Sequence, residues 1–304
     1  MLPARFEYHR PGSLDEAYGL LGSLEDPKVL AGGQSLIPVM KLRFAAPANL
    51  VDINRIAGLD GVRVDGATLR IGALTRHNAL AGSEVLETNQ PLLSSTAPQI
   101  ADPIVRNLGT VGGSLAHADP AGDWGSAMLA AGASVVLGSA RGERTVSVSE
   151  FLVDIFTTTL EPDEILTEVQ VPLPEKKLGG AYLKLERKIG DFATVGVAVQ
   201  VEMSNGTIDR AGIALTGVGS KNIEATQAEQ ALAGASPSDD AYAEAGRLAA
   251  AACDPVSDVR GSAEYRRAMA EVMASRAVTA ALTRARGGSV PIPASPAMYG
   301  AKES

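Results

Sequence analysis

The run "KVLAGGQSLIPVMKLR", residues 28–43, together with "NLVDI", residues 49–53, decides how this chain folds. A short apolar stretch ends in paired glycines, and a helix-like stretch starts directly after them. Strand, bare-backbone turn, helix and strand in that order predict a βαβ-like unit around residues 31–35. The glycine pair has two readings. It supplies positive φ angles for a tight turn and nothing more, or it lets backbone N–H groups approach an anion closely.

A second segment, "RNLGTVGGSLAHADPAGDW" at residues 106–124, repeats paired glycines followed by a small hydroxyl residue. Two such loops can clamp one phosphate ligand, with the hydroxyls of Ser35, Thr110 and Ser114 as further donors. Neither loop carries lysine, so the Lys-Ser/Thr ending of a mononucleotide loop is missing, as is an intact G-x-G-x-x-G fingerprint. A pyrophosphate held by neutral donors, without metal or lysine, fits a dinucleotide such as FAD.

Composition narrows the classes. The 304 residues suffice for two ordinary domains, with 45% hydrophobic residues to fill their cores. A formal net charge of -8 without a basic block argues against nucleic acid and against anionic membrane surfaces. The start, "MLPARFEYHRPG", lacks the basic-then-apolar order of a signal peptide, and "SAMLAAGASVVLG" is too short and too Gly-rich to span a bilayer. No membrane insertion and a cytoplasmic location are expected. An iron–sulfur cluster takes about four thiolates and a structural zinc about four Cys or His ligands. With one cysteine, Cys253, and three scattered histidines, His9, His77 and His117, any metal redox centre is expected on another chain.

Along the chain, Ser13 and Glu16 form a capping box that predicts the first helix. "VRVDGATLRIGA" alternates across Asp65-Gly66 and predicts a hairpin. Residues 75–106, broken by Gly82, Pro91, Pro98 and Pro103, predict two or three short helices. "DWGSAMLAAGA" reads as a helix leading to a hairpin closed near Arg141-Gly142, then a short helix at "SEFLVDIF" and a strand at "EILTEVQVPLP". Pro172, Pro174 and "EKKLGG" mark the boundary between two domains. Beyond it, "AYLKLER", "TVGVAVQVEM" and "IDRAGIALTGVG" read as three strands, the last two joined at Asn205-Gly206. Helices at about 221–234, 238–253 and 262–286 follow as a layer over one face of that sheet.

The ordered set "KVLAGGQSLIPVMKLR", "LVDINRI", "IGALTRH" and "IADPIVRNLGTVGGSLAHADPAGDW" resembles the FAD-binding medium subunit of the molybdenum hydroxylases, the family of carbon monoxide, xanthine, aldehyde and N-heterocycle dehydrogenases. "DPVSDVRGSAEYRRAMAEVMASRA" is similar to that family's flavoprotein C-terminal domain. The likeness runs from about residue 3 to residue 285. It implies an α+β fold: a two-subdomain, PCMH-like FAD-binding domain at residues 1–176, then a small C-terminal domain at residues 177–287 with a three-stranded antiparallel sheet and a helical layer. Residues 288–304 are expected to form an extended or disordered tail.

By the same resemblance, the first FAD loop falls on Lys28, Val29, Leu30, Ala31, Gly32, Gly33, Gln34 and Ser35, and the second on Thr110, Val111, Gly112, Gly113 and Ser114. Asp123 would bond the adenosine ribose, Ile100 and Leu166 would pack around the cofactor, and Lys184 would lie near the flavin, with Asp191 and Phe192 in a loop beside it. One departure is visible: Gln34 stands where some carbon monoxide dehydrogenase subunits carry histidine. The resemblance implies FAD on this chain, a molybdenum cofactor on a large partner subunit, [2Fe-2S] clusters on a small one, and a dimer of such heterotrimers. Electrons would pass from the clusters to FAD and on to an external acceptor. A carbon monoxide dehydrogenase-like complex is favoured, with aldehyde, xanthine or N-heterocycle dehydrogenases as alternatives.

No catalytic residue and no metal ligand set is assigned to this chain. A cofactor-free scaffold subunit and a stand-alone flavin oxidase remain as readings from other classes. Loop hydrogen bonding is the simpler role for His117 and Asp119, a buried structural thiol for Cys253, and a core anchor for Trp124. Without the resemblance, Lys184 in an alternating strand reads as facing solvent.

Overall fold

The computed structural model describes residues 2–291. Ser13 caps the helix Leu14–Ser23 by accepting from the Glu16 amide, while the Glu16 carboxylate accepts from the Gly12 amide at 2.7 Å. The box thus closes one residue further out than the motif implies. The strand Pro27–Leu30, the helix Leu36–Lys41 and the strand Asn49–Asp52 form the expected unit, with Val29 opposite Val51 in parallel register. A third parallel strand, Glu7–His9, completes the small sheet on the far side of Asn49–Asp52.

The second layer is a five-stranded antiparallel sheet. Both predicted hairpins, Val62–Asp65 with Thr68–Gly72 and Ser134–Ser139 with Gly142–Ser147, flank one central strand, Ile165–Pro172. Residues 77–108 form four short α-helices, His77–Ala81, Glu84–Asn89, Pro91–Thr96 and Pro103–Leu108, and a 3-10 turn at Ala97–Gln99. The two or three helices expected here are therefore too few. Pro91 and Pro103 each stand in a first helical turn, where the missing N–H costs nothing, so they begin helices rather than end them.

The C-terminal sheet has four strands, not three: Lys177–Leu185, Val195–Ser204, Thr207–Thr216 and Ile223–Glu224. The fourth is two residues long, pairing Leu215 with Ile223 and Ala214 with Glu224, and it occupies part of the stretch expected to be helical. A two-residue strand carries no periodicity to read. The helix begins after it, at Thr226–Leu232, followed by Asp239–Ala251 and Ala263–Ala285.

These helices cover one face of the sheet, burying Leu183, Val197, Val199 and Ile213. The other face lies on the helices Pro91–Thr96 and Asp123–Ala130, and its Tyr182, Ala198 and Ala214 join the core of the N-terminal part. Small residues allow the approach: a Cβ on Gly212 would lie 1.9 Å from the Ala130 carbonyl oxygen. The sheet is thus buried on both sides. No helix among the described residues is long and apolar enough to cross a membrane. Of the expected tail at 288–304, residues 292–304 lie outside the described residues.

Candidate functional site

The strand Pro27–Leu30 ends at the edge of its sheet, and the chain turns through Gly33 at φ +72° into the helix Leu36–Lys41. The carbonyl side of this turn is tied down. Asn54 Nδ2 donates to the Ala31 carbonyl at 2.7 Å, Gln34 Nε2 donates to that of Gly32 at 3.1 Å, and Arg76 Nη2 holds Asn54 Oδ1 at 2.5 Å. The other terminal nitrogen of Arg76 donates to the Leu108 carbonyl. Gly32 sits against that same carbonyl, which would be 2.4 Å from a Cβ there. The amide side is open: among the described residues, the N–H groups of residues 31–35 donate to no partner. Ser35 makes no side-chain cap bond, so its hydroxyl is open as well.

The second glycine segment is built differently. Thr110 caps the helix Val111–His117, which places Gly112, Gly113 and Ser114 in its first turn rather than in a loop. Its amides are all engaged: Val111 to the Thr75 carbonyl at 3.1 Å, Gly112 to Ala73 at 2.9 Å, and Ser114 to Thr110 at 3.0 Å. The Gly113 amide donates to Thr110 Oγ1 at 3.2 Å. The glycines serve packing, since a Cβ on Gly112 would be 2.5 Å from that of Ala73 and one on Gly113 would be 3.4 Å from that of Ala31. The second distance shows that the two segments meet. Backbone donors come from the first, a close-packed wall and the half-buried Ser114 from the second.

Asp123 opens the helix Asp123–Ala130 in the seam between that helix and the C-terminal sheet. Its Oδ1 accepts from the Tyr182 hydroxyl at 2.6 Å and its Oδ2 from Lys184 Nζ at 2.9 Å. Lys184 donates also to the Gln99 carbonyl at 3.0 Å, next to the buried Ile100. Burial pushes the Asp123 carboxyl up, while the Lys184 ammonium and the Tyr182 hydroxyl draw it back. Burial also raises the Tyr182 phenol, with the Asp123 charge adding to it. Alternation alone would put Lys184 in solvent; with helices on both sides of the strand, its side chain is 2% exposed. Both oxygens of Asp123 hold protein donors, so a ribose hydroxyl there would be an additional partner.

The remaining expected positions lie on separate elements. Leu166 is buried on the central strand Ile165–Pro172, against which the helix Val111–His117 packs. Gly190 lies close to Ala101 and Asp102, which brings the loop carrying Asp191 and Phe192 beside Ile100. Asp191 pairs with Arg260 at 3.0 Å, and that guanidinium sits 5.7 Å from the Phe192 ring centre. His117 stacks on Phe156 at 5.0 Å, and burial lowers its pKa; Asp119 accepts from the Ala121 amide at 2.9 Å. Cys253 is buried, with its thiol pushed up to about 11 by desolvation.

Sequence reasoning missed four contributors: Asn54, Arg76, Tyr182 and His77. His77 accepts at Nδ1 from Trp124 Nε1 at 3.0 Å, and burial pushes its pKa down to about 4. A buried tryptophan N–H needs an acceptor, and that need was the available signal for a partner to Trp124.

Residues 4–174 match the FAD binding domain in molybdopterin dehydrogenase, and residues 180–281 match the CO dehydrogenase flavoprotein C-terminal domain. The chain is 45% identical over 285 residues to the carbon monoxide dehydrogenase medium chain of Hydrogenophaga pseudoflava, covering 93% of this chain and 99% of that one. It is 41% identical over 288 residues to subunit alpha of the 6-hydroxypseudooxynicotine dehydrogenase complex of Paenarthrobacter nicotinovorans, covering 94% and 97%. The solved Hydrogenophaga pseudoflava carbon monoxide dehydrogenase that lacks the Mo-pyranopterin moiety of the molybdenum cofactor superposes with a TM-score of 0.91 at 47% identity, covering 93% of this chain and 99% of that one.

Proposed function

This chain belongs to the family of FAD-binding medium subunits of the molybdenum-containing dehydrogenases, and we propose that it is the flavin subunit of a heterotrimeric, carbon monoxide dehydrogenase-like complex. Its place is between [2Fe-2S] clusters on a small partner and an external acceptor, with the substrate oxidised at a molybdenum centre on a large partner. Two such heterotrimers pair. The observation that carries the reading is the row of open amides at residues 31–35, backed by carbonyls that Asn54 and Gln34 hold away from it.

The residues fit the cofactor. Neutral N–H groups and the hydroxyls of Ser35 and Ser114 suit a pyrophosphate that carries its own charge. When bound, FAD supplies a centre that exchanges electrons singly or in pairs. The work of this chain is to bind and orient it. Ala31 to Ser35 would hold the phosphates, Ile100 and Leu166 would exclude water, and Asp123 and Lys184 would position polar groups. Because Lys184 is paired, its charge reaches the cofactor muted by Asp123. Lys184→Met is expected to lower the flavin potential and to leave Asp123 buried with Tyr182 alone, at a cost of about 3–5 kcal/mol in stability.

The substrate is chosen on the partner subunit. Identity of 45% to a carbon monoxide enzyme against 41% to an N-heterocycle enzyme supports the first as leading and the second as the alternative. Purification from the native host, with absorption spectrum and subunit pattern recorded together, is the test. Flavin and iron–sulfur bands with two co-purifying chains are expected. A colourless lone chain that takes up no added FAD would overturn the reading and favour a scaffold.

A further inference from the structure

Behind the first glycine segment lies a cavity of about 590 Å³, of ordinary small-molecule size. None of its lining residues belongs to either glycine segment. Its floor carries Arg76, which is half-buried yet, among the described residues, has no carboxylate within ion-pair distance. Arg76 is held by neutral acceptors alone, Asn54 Oδ1 and the Leu108 carbonyl. Of the five N–H donors of a guanidinium, these take two. Arg55, exposed on the rim, likewise has no ion-pair partner among the described residues. Against these two cations the lining offers one carboxylate, Asp60, while Val62, Ala79 and Val85 supply an apolar wall.

Asp60 and Asp52, the latter through Asn54, act on the Arg76 charge without touching it, so its remaining N–H donors are left for an outside acceptor, and a carboxylate is the strongest one. Two guanidinium groups at one end match the forked acceptor geometry of a carboxylate, and the apolar wall matches a short hydrophobic body. We infer that this cavity is a second ligand site that takes a small organic monocarboxylate, with Arg76 and Arg55 at its carboxylate end.

The site touches the first segment through one chain of bonds: Arg76 to Asn54, and Asn54 to the Ala31 carbonyl. On the reading that the amides of residues 31–35 hold a pyrophosphate, anion and cofactor are like charges on opposite sides of one turn. Occupancy of the cavity therefore weakens cofactor binding, and the weakening is reciprocal.

Benzoate is the probe, benzyl alcohol its neutral match and inorganic phosphate the anion without a body, each titrated calorimetrically into the flavin-free full-length chain. Benzoate is expected to bind, benzyl alcohol at least about tenfold more weakly. Arg55→Ser, at an exposed residue, should weaken benzoate several-fold, and Ala79→Trp, which fills the cavity from an exposed helical position, should abolish binding with an unchanged circular dichroism spectrum. FAD titrated with benzoate present should show an affinity about fivefold lower. No benzoate binding, equal binding of benzyl alcohol, preference for inorganic phosphate, or benzoate binding that survives Ala79→Trp would each overturn the site. FAD uptake indifferent to bound benzoate would overturn the linkage. A chain that takes up no FAD would instead overturn the cofactor reading, while the benzoate titration still decides the site.

Discussion

Two segments of this chain share a glycine-glycine-x-Ser or glycine-glycine-Ser pattern, touch each other, and put their backbones to opposite use. In the first, the turn after an edge strand leaves the amides of residues 31–35 open and its carbonyls bonded. In the second, Thr110 starts a helix, and every amide from Val111 to Ser114 is engaged inside the protein. Identical glycines thus mean donors in one place and close packing in the other. What separates them is the acceptors within reach: a strand end leaves N–H groups unpaired, whereas Thr110 takes the amides of Gly113 and Ser114 and the carbonyls of Thr75 and Ala73 take those of Val111 and Gly112.

The contrast breaks if perturbing the second segment lowers cofactor affinity without lowering stability. Around the two segments the largest expected effect comes from His77, which supports the second segment through Trp124 and packs against Gly109. Its folded pKa, about 4, lies below the ordinary value of 6.5. The unfolded chain therefore takes up the proton first as pH falls. The stability tied to neutral His77 is complete above pH 6.5 and is lost as pH falls toward 4, by up to about 3 kcal/mol. Fluorescence of Trp124, the single tryptophan, followed through urea unfolding at several pH values, measures this, and His77→Gln should flatten that slope. Next is Gly112→Val, whose side chain would collide with Ala73; a loss of about 2 kcal/mol is expected, with FAD affinity falling only as far as the fold does. Thr110→Ala should cost about 1 kcal/mol through the lost cap, read as a shifted urea midpoint at unchanged m-value. Smallest in stability is Ser35→Ala, expected to leave the midpoint within error while weakening FAD several-fold, about 1 kcal/mol, in a flavin fluorescence titration.

Much of this was readable beforehand because it is local. The strand, turn and helix around Gly32, the hairpins at Asp65-Gly66 and Arg141-Gly142, and the cap at Ser13 each depend on neighbours within a few residues. What escaped reading is set by distant partners. The fourth strand at Ile223–Glu224 exists because Leu215 and Ala214 offer an edge to pair with. Lys184 is buried because a helix more than fifty residues earlier covers its face with Asp123. The engaged amides of the second segment depend on carbonyls of Ala73 and Thr75, which no glycine motif reveals. At the candidate site, the residue types were legible and the division of labour among them was not.

The sheet buried on both faces has a consequence for the integrity of the polypeptide. Between the strands Ile165–Pro172 and Lys177–Leu185 only four residues connect the two parts, "LPEK". A protease cutting there would sever the covalent link and leave Gly212 seated on Ala130 and Lys184 bonded to Asp123. Neither fragment could leave without baring an apolar sheet face, so the nicked protein should migrate as one species until denatured, and separately expressed halves should find each other.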